Sequence, residues 1–182
     1  MKKTMMTLAA VLCCALAFNA CTKNDPSTPE EGGKTRAVCA KMIYKFTLGN
    51  DDMLKVLDLT VEYYDENGTV KTEPMTVSSW TKTVQSKTLP AILGARLKGQ
   101  LKADVNIDEI EKFTAATGYN YSAAALDEDG EIVGKTYTSG SSSSLSMNGN
   151  KINIWMDSNK DGIRKFLLCF DANGIATSGT WE

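Results

Sequence analysis

Apolar and polar residues alternate along several stretches of this chain. From residue 38 to residue 48 the apolar positions are the even ones, namely Val38, Ala40, Met42, Tyr44, Phe46 and Leu48. The same period of two recurs over residues 57–63, 93–105, 152–156 and 166–170. Such alternation places one face of a β-strand against a core and leaves the other face in solvent. Strands with a single apolar face are typical of antiparallel sheets, so the pattern predicts an all-β, antiparallel β-sandwich.

One turn signature recurs between the predicted strands. It has Asp or Asn at its first position and Gly at its fourth, and it occupies residues 65–68, 127–130, 159–162 and 171–174. The first side chain can accept a hydrogen bond from the backbone two residues on, and Gly can adopt the left-handed conformation that closes a bulged hairpin. The Asn-Gly pair at residues 148–149 is a fifth hairpin signal, of the two-residue kind. These turns predict about eight strands.

Two stretches depart from the strand pattern. Ile107, Ile110 and Phe113 are spaced by three residues, which predicts at most one short helix, of one or two turns. Residues 139–144, with the sequence Ser-Gly-Ser-Ser-Ser-Ser, have the composition of a flexible loop. The stretch from residue 37 to residue 182 suits a single domain that is large enough to bury a core.

The N-terminus has a pattern of another kind. Lys2 and Lys3 precede an apolar run that is too short to span a membrane, which needs about 20 apolar residues. Ala20 and Cys21 then resemble the end of a bacterial lipobox, in which the Cys thiol receives a diacylglycerol. Residues 1–20 are therefore predicted to be a lipoprotein signal peptide, with lipidation at Cys21. An ordinary signal peptide that is cut nearby, with Cys21 unmodified, is the alternative.

Residues 21–36 have no apolar periodicity and contain two prolines and two glycines, which predicts a lipidated, flexible tether. Three acidic residues follow the lipidated Cys: Asp25, Glu30 and Glu31. They resemble the surface-export signal of lipoproteins in Gram-negative gut commensals. The implied location is the outer membrane, lipid-anchored and on the cell surface, and the periplasmic side is the alternative.

Composition and charge exclude several classes of function. The chain has 20 basic and 22 acidic residues, and loss of residues 1–20, which hold two lysines and no acid, brings the net charge to −4. No basic cluster is interleaved with aromatic residues, so nucleic acid is not an expected partner. The chain has no histidine, which excludes Cys-His and Ser-His nucleophile pairs and histidine metal sites.

A calcium loop is the first candidate for specific chemistry. Asp157, Asn159 and Asp161 place oxygen ligands at alternate positions before Gly162, as in the first half of an EF-hand loop. The second half does not match, because Leu168 stands where a bidentate Glu is needed. A β-loop calcium site and a plain hairpin turn both stay open. We favour the turn, because the same signature recurs elsewhere without the extra Asp.

Cys39 and Cys169 are the remaining cysteines after Cys21. Each lies on the more polar face of its predicted strand. If the first and penultimate strands are neighbours, the two thiols can form a disulfide, which would close a long loop and stabilise the fold by about 4 kcal/mol. Two unpaired thiols are an equal alternative, because spacing alone does not give connectivity.

An aromatic platform is the third candidate. Trp155 points to the polar face of its predicted strand, beside Asn153. An outward indole flanked by polar groups commonly holds the face of a sugar ring, and Trp80, Tyr119 and Tyr121 can extend such a platform. Packing of these rings under a loop or over a sheet edge is the alternative.

The sequence contains no catalytic motif, but one class of enzyme needs only carboxylates. Pairs of Asp and Glu residues hydrolyse glycosides without histidine. The carboxylates of this chain fall mainly in turns, where capping and solvation account for them. We therefore expect a protein that is not an enzyme, and a histidine-free glycoside hydrolase is the least favoured alternative.

The signal peptide, the polar tether and the hairpin-rich domain together resemble the small surface lipoproteins of Gram-negative gut bacteria, whose domains are often immunoglobulin-like sandwiches. The resemblance implies an immunoglobulin-like fold and a binding or accessory role at the cell surface, with a glycan or a host protein as partner. A structural subunit of a surface assembly, which pairs through strand edges, is the second expectation. The resemblance rests on no site motif, so no functional residue follows from it.

Overall fold

The structure, a computed structural model, describes residues 35–181. The predicted signal peptide, the lipidation at Cys21 and the tether up to residue 34 lie outside the described residues. In chain order the elements are β1 (Cys39–Leu48), α1 (Asp52–Val56), β2 (Leu57–Tyr64), β3 (Val70–Pro74), β4 (Ser79–Gln85), β5 (Ala91–Leu101), β6 (Phe113–Leu126), β7 (Ile132–Met147), α2 (Ile152–Ser158), β8 (Arg164–Phe170) and β9 (Ala176–Ser178). Short 3-10 helices lie at Ile107–Glu109 and Gly149–Lys151.

The strands form two antiparallel sheets. Sheet A has the order β4-β1-β6-β7, and sheet B has the order β3-β2-β5-β8-β9. Within them, β1 faces β5 and β6 faces β8, so the two sheets pack as layers around one core. The prediction of an all-β, antiparallel β-sandwich is confirmed. Its immunoglobulin-like character stays a prediction.

Three of the four predicted Asp/Asn-to-Gly turns close hairpins as expected. Gly68, Gly130 and Gly174 have φ values of 71°, 82° and 79°, in the left-handed region that favours glycine. The first Asp of each turn accepts a hydrogen bond from the backbone two residues on, over 2.8–3.1 Å. The fourth turn, residues 159–162, follows a helix and joins it to β8.

The predicted strand at residues 152–156 is wrong, because α2 occupies this stretch. Ile152, Trp155 and Met156 pack on the core, and their spacing of three and four residues forms one apolar face of a helix. Ile154, which the strand pattern placed with them, is 67% exposed. Three alternating residues are too few to distinguish the two periods, and tertiary packing decided between them.

The predicted loop at residues 139–144 is also wrong, because these residues belong to β7. Each pairs with a residue of β6, which supplies the hydrogen-bonding partners. The Asn-Gly pair at residues 148–149 begins a 3-10 helix instead of closing a hairpin. The strand predicted over residues 93–105 ends at Leu101.

The inner faces of the sheets meet in an aromatic cluster around Phe166, which is 8% exposed. Its ring lies 5.0–5.9 Å from four rings of sheet A: Tyr44, Phe46, Tyr119 and Tyr121. Rings at these separations pack favourably beyond the area that they bury. Phe166 on β8 is thus the principal side-chain contact between the two layers.

Replacement of Phe166 by Ala should lower the free energy of unfolding by about 3–5 kcal/mol, because the cavity left behind removes contacts with four rings. Phe166→Leu should cost less. Ile92→Ala on the neighbouring strand β5, where Ile92 is 43% exposed, should change stability by less than about 0.5 kcal/mol. Denaturant unfolding followed by tryptophan fluorescence measures all three, and equal small losses would contradict this role of Phe166.

Candidate functional site

A groove of about 580 Å³ lies between the end of β7 and helix α2. Eight residues line it: Leu145, Ser146, Met147, Asn148, Lys151, Ile154, Trp155 and Ser158. It lies at the opposite end of the sandwich from residue 35. Residue 35 precedes β1, which begins beside the β6–β7 turn, whereas β7 ends at the other end of sheet A, beside Phe113. The groove is therefore at the far end of the domain from the point where the described residues begin.

Close backbone packing positions α2 beside β7. Gly149 donates a backbone hydrogen bond to the carbonyl of Ile110 over 2.9 Å. A Cβ atom at Gly149 would lie only 1.8 Å from the carbonyl oxygen of Ile107, so no larger residue fits there without a backbone shift. The two 3-10 helices thus contact each other directly, and α2 follows at a defined position.

Side chains of α2 then hold the helix on the core. Ile152 is fully buried, and the indole of Trp155 packs edge-on against the ring of Phe113, with centroids 5.9 Å apart. Trp155 is therefore half-buried, with one side on the core and the other lining the groove. This arrangement leaves part of an aromatic ring in the groove.

The rim of the groove is apolar and exposed. Ile154 is 67% exposed on α2, and Leu145 is 53% exposed on β7. Both side chains line the same groove, so they form a local exposed apolar patch. Lys151 is the one charged residue in the lining, so the groove combines an apolar floor and rim with a single positive charge.

The other predicted platform residues lie elsewhere, and the predicted platform does not form. Trp80, Tyr119 and Tyr121 lie on the inner face of sheet A and pack in the aromatic cluster around Phe166 or against Phe46 beside it. Asn153 is exposed on α2 and does not line the groove. Trp155 alone among the predicted residues belongs to the candidate site, and it does so from a helix.

A polar cluster joins the β3 edge of sheet B to the β4 edge of sheet A. The carboxylate of Glu73 accepts hydrogen bonds from the Tyr63 hydroxyl at 2.7 Å, Trp80 Nε1 at 3.1 Å and Lys82 Nζ at 2.5 Å. Glu73 and Tyr63 belong to sheet B, and the other two donors belong to sheet A. The cluster therefore closes this side of the sandwich.

The carboxylate of Glu73 is stabilised in its charged form and makes an ion pair with Lys82. Hydrogen bonds from Lys82 and then Tyr63 hold the pKa of Glu73 below its usual range. Backbone hydrogen bonds, first that of Thr69, lower the pKa of nearby Asp65. A glycosidase general acid needs a raised pKa, and neither carboxyl group has one.

The residues of the predicted calcium loop lie around the end of α2. Asp157 is exposed within the helix, and the Asn159 amide donates to the carbonyl of Trp155 over 2.8 Å. The oxygen ligands thus do not follow one another along a loop, as the β-loop interpretation required, because the helix turns successive side chains away from each other. Within residues 35–181, no three His, Cys, Asp or Glu side chains are grouped to hold a metal ion.

Cys39 and Cys169 are free cysteines. β1 and β8 lie in different sheets, which contradicts the neighbouring strands that the disulfide prediction required. Both cysteines alternate with core residues and so lie on the outer faces of their sheets, with the core between them. Packed sheets are about 10 Å apart, which is too far for a disulfide.

Sequence reasoning missed the two exposed apolar residues of the groove. Leu145 follows a run of serines that was assigned to a loop, and Ile154 was assigned to the buried face of a strand. If residues 152–158 are a helix, Ile154 lies on a different face from Ile152, Trp155 and Met156. This spacing is the sequence signal for the exposure of Ile154.

The chain matches no protein-family model, no curated protein and no solved structure. Among residues 35–181 there is no helix with the length and apolar character to cross a membrane.

Glu73→Gln should lower the free energy of unfolding by about 1 kcal/mol at pH 7, a value discounted because Glu73 and Lys82 are each about one-third exposed. The pKa of Glu73 is lowered by folding, so its contribution is complete above the unfolded value and lost as the pH falls through the folded one. The difference from wild type should therefore shrink on acidification, as measured by urea unfolding at a series of pH values. The control is Glu66→Gln, because Glu66 is exposed in the turn between β2 and β3 and its replacement should have no effect. A pH-independent difference for Glu73→Gln would contradict the assignment.

Proposed function

We propose that this chain is a lipid-anchored binding protein of the bacterial cell surface that holds an apolar side chain of a protein partner in the groove between α2 and β7. The observation that carries the proposal is the pair of exposed apolar residues, Ile154 and Leu145, above the half-buried Trp155. Exposed apolar residues that surround a concave site are typical of interaction surfaces.

The chemistry of the lining favours a protein segment over a glycan. Polar residues also line the groove, but the most exposed large side chains beside the indole are Leu145 and Ile154, which are aliphatic and give a sugar no hydrogen bond. Lys151 adds one positive charge, which complements a carboxylate next to the apolar residue of the partner. The expected ligand is therefore a large apolar residue beside Asp or Glu.

The anchor and the location rest on the sequence. The lipobox-like Ala20-Cys21 pair and the acidic residues after it support lipid attachment and surface display. The groove lies at the end of the domain away from residue 35, so a tether on that side leaves the groove accessible. An immunoglobulin-like sandwich carried on a tether is also part of the proposal.

The test uses a displayed library of random peptides, selected in parallel on the wild-type chain and on Ile154→Asp. We expect wild type to enrich sequences with a large apolar residue beside an acidic one, and Ile154→Asp to weaken binding of a selected peptide by about tenfold or more, because it places a charge where an apolar group is buried. Fluorescence anisotropy of the labelled peptide measures the affinity.

The matched control is Ile175→Asp, since Ile175 is 56% exposed in the β8–β9 turn at the opposite end of the sandwich. It should leave peptide binding unchanged. A glycan panel is screened with the same three proteins. Equal enrichment on wild type and Ile154→Asp, or a saccharide whose binding is lost in Ile154→Asp, would overturn the protein-segment proposal.

A further inference from the structure

β7 is an unprotected sheet edge. No strand within residues 35–181 pairs with its free side. Residues 137–147 contain no charged residue and no proline, and the one register shift of the β6–β7 ladder precedes them, beside Ala123 and Ala125. Sheet edges are usually protected by charge, proline, bulges or short length, because unpaired backbone groups bind other strands.

The other three edge strands carry such protection. β9 has only three residues. β3 has five residues, includes Lys71 and Glu73 and ends at Pro74, and β4 carries Lys82 in an ion pair with Glu73. β7, with 16 residues, is therefore the edge at which an additional strand can pair over the greatest length.

We infer that β7 pairs with β7 of a second copy of this chain, in antiparallel orientation, to form one continuous sheet across two molecules. Antiparallel orientation gives both copies the same contact through a two-fold axis. No charged side chain between residues 137 and 147 opposes this pairing.

The residues of β7 also complement themselves. A two-fold axis at Ser142 pairs every residue from 137 to 147 with its symmetry mate and keeps inner-face residues opposite inner-face residues. Tyr137 then lies opposite Met147 on the inner face, where aromatic rings and sulfur atoms contact favourably. On the outer face Thr138, Ser144 and Ser146 meet only hydroxyl or glycine partners, and hydroxyl pairs stabilise adjacent strands.

This pairing shares Leu145, Ser146 and Met147 with the groove lining, but it uses their free backbone edge and does not rest on the groove being occupied. It is an isologous contact, in which the same strand of both copies forms the interface, so it closes as a dimer instead of growing into a filament. The partner is a second copy of this chain, and Ser142 lies at the symmetry axis.

The experiment measures the oligomeric state by sedimentation velocity over a series of concentrations. The protein is the chain from residue 21 onward with Cys21→Ser, so that no lipid drives association. We expect a monomer–dimer equilibrium that Ser142→Lys weakens about tenfold or more, because it places two like charges side by side across the axis. Thr83→Lys is the matched control, since Thr83 is exposed on the same outer face of sheet A at the opposite edge, and it should leave dimerisation unchanged.

A cross-link tests the register. Directly opposite residues of paired antiparallel strands have Cα atoms about 4.5–5.5 Å apart, which is within disulfide range. Ser142→Cys should therefore form a covalent dimer on mild oxidation, and Thr83→Cys should not. A wild-type chain that stays monomeric throughout, or a dimer that is insensitive to Ser142→Lys and gives no Ser142→Cys cross-link, would overturn the inference. Either result leaves the groove proposal intact, because that proposal is tested separately through Ile154 on α2.

Discussion

The ring of Phe166 packs against four aromatic rings of the opposite sheet, and the position of the two layers depends on this contact. Hydrogen-bond ladders connect strands only within a sheet, so side chains must supply the attraction between layers. Tyr44 belongs to this cluster, and burial raises the pKa of its hydroxyl. The buried hydroxyl needs a hydrogen-bonding partner, and it donates to the carbonyl of Tyr64. The aromatic cluster thus places rings of both sheets in contact at the centre of the core.

The same cluster determines which aromatic side chains are exposed enough to bind a ligand. Because Trp80, Tyr119 and Tyr121 are committed to the interior, they are not available as a surface for sugars. Glu73 closes the β3 and β4 side of the sandwich with hydrogen bonds that cross between the sheets. Leu145 and Ile154, which are exposed and line the groove, lie at the other side, where α2 meets β7, and the proposed binding role rests on them.

Unequal strand lengths give β7 its exposure. β6 and β7 have 14 and 16 residues, whereas β9, on the corresponding side of sheet B, has three. Sheet A therefore extends beyond the cover of sheet B, and the serines of β7 are exposed on both faces. A strand that is exposed on both faces and one edge gains little from burial within its own molecule, so association with a second copy offers it backbone partners that this domain does not.

Four strands of the core (β1, β2, β5 and β8), the antiparallel sandwich arrangement and three Asp-to-Gly hairpin turns could be predicted from the sequence, because alternation and turn chemistry depend on residues close together in the chain. The extent of β7 could not, since a serine-rich segment becomes a strand only where β6 supplies its hydrogen-bonding partners. The helix at residues 152–158 was missed for a related reason: its short apolar pattern fits two periods, and packing against Phe113 selects one. The sequence by itself thus determined the fold class and named Trp155, while only the tertiary structure decided which aromatic rings are buried, which edge is open and where Trp155 lies, because each depends on contacts between residues far apart in the chain.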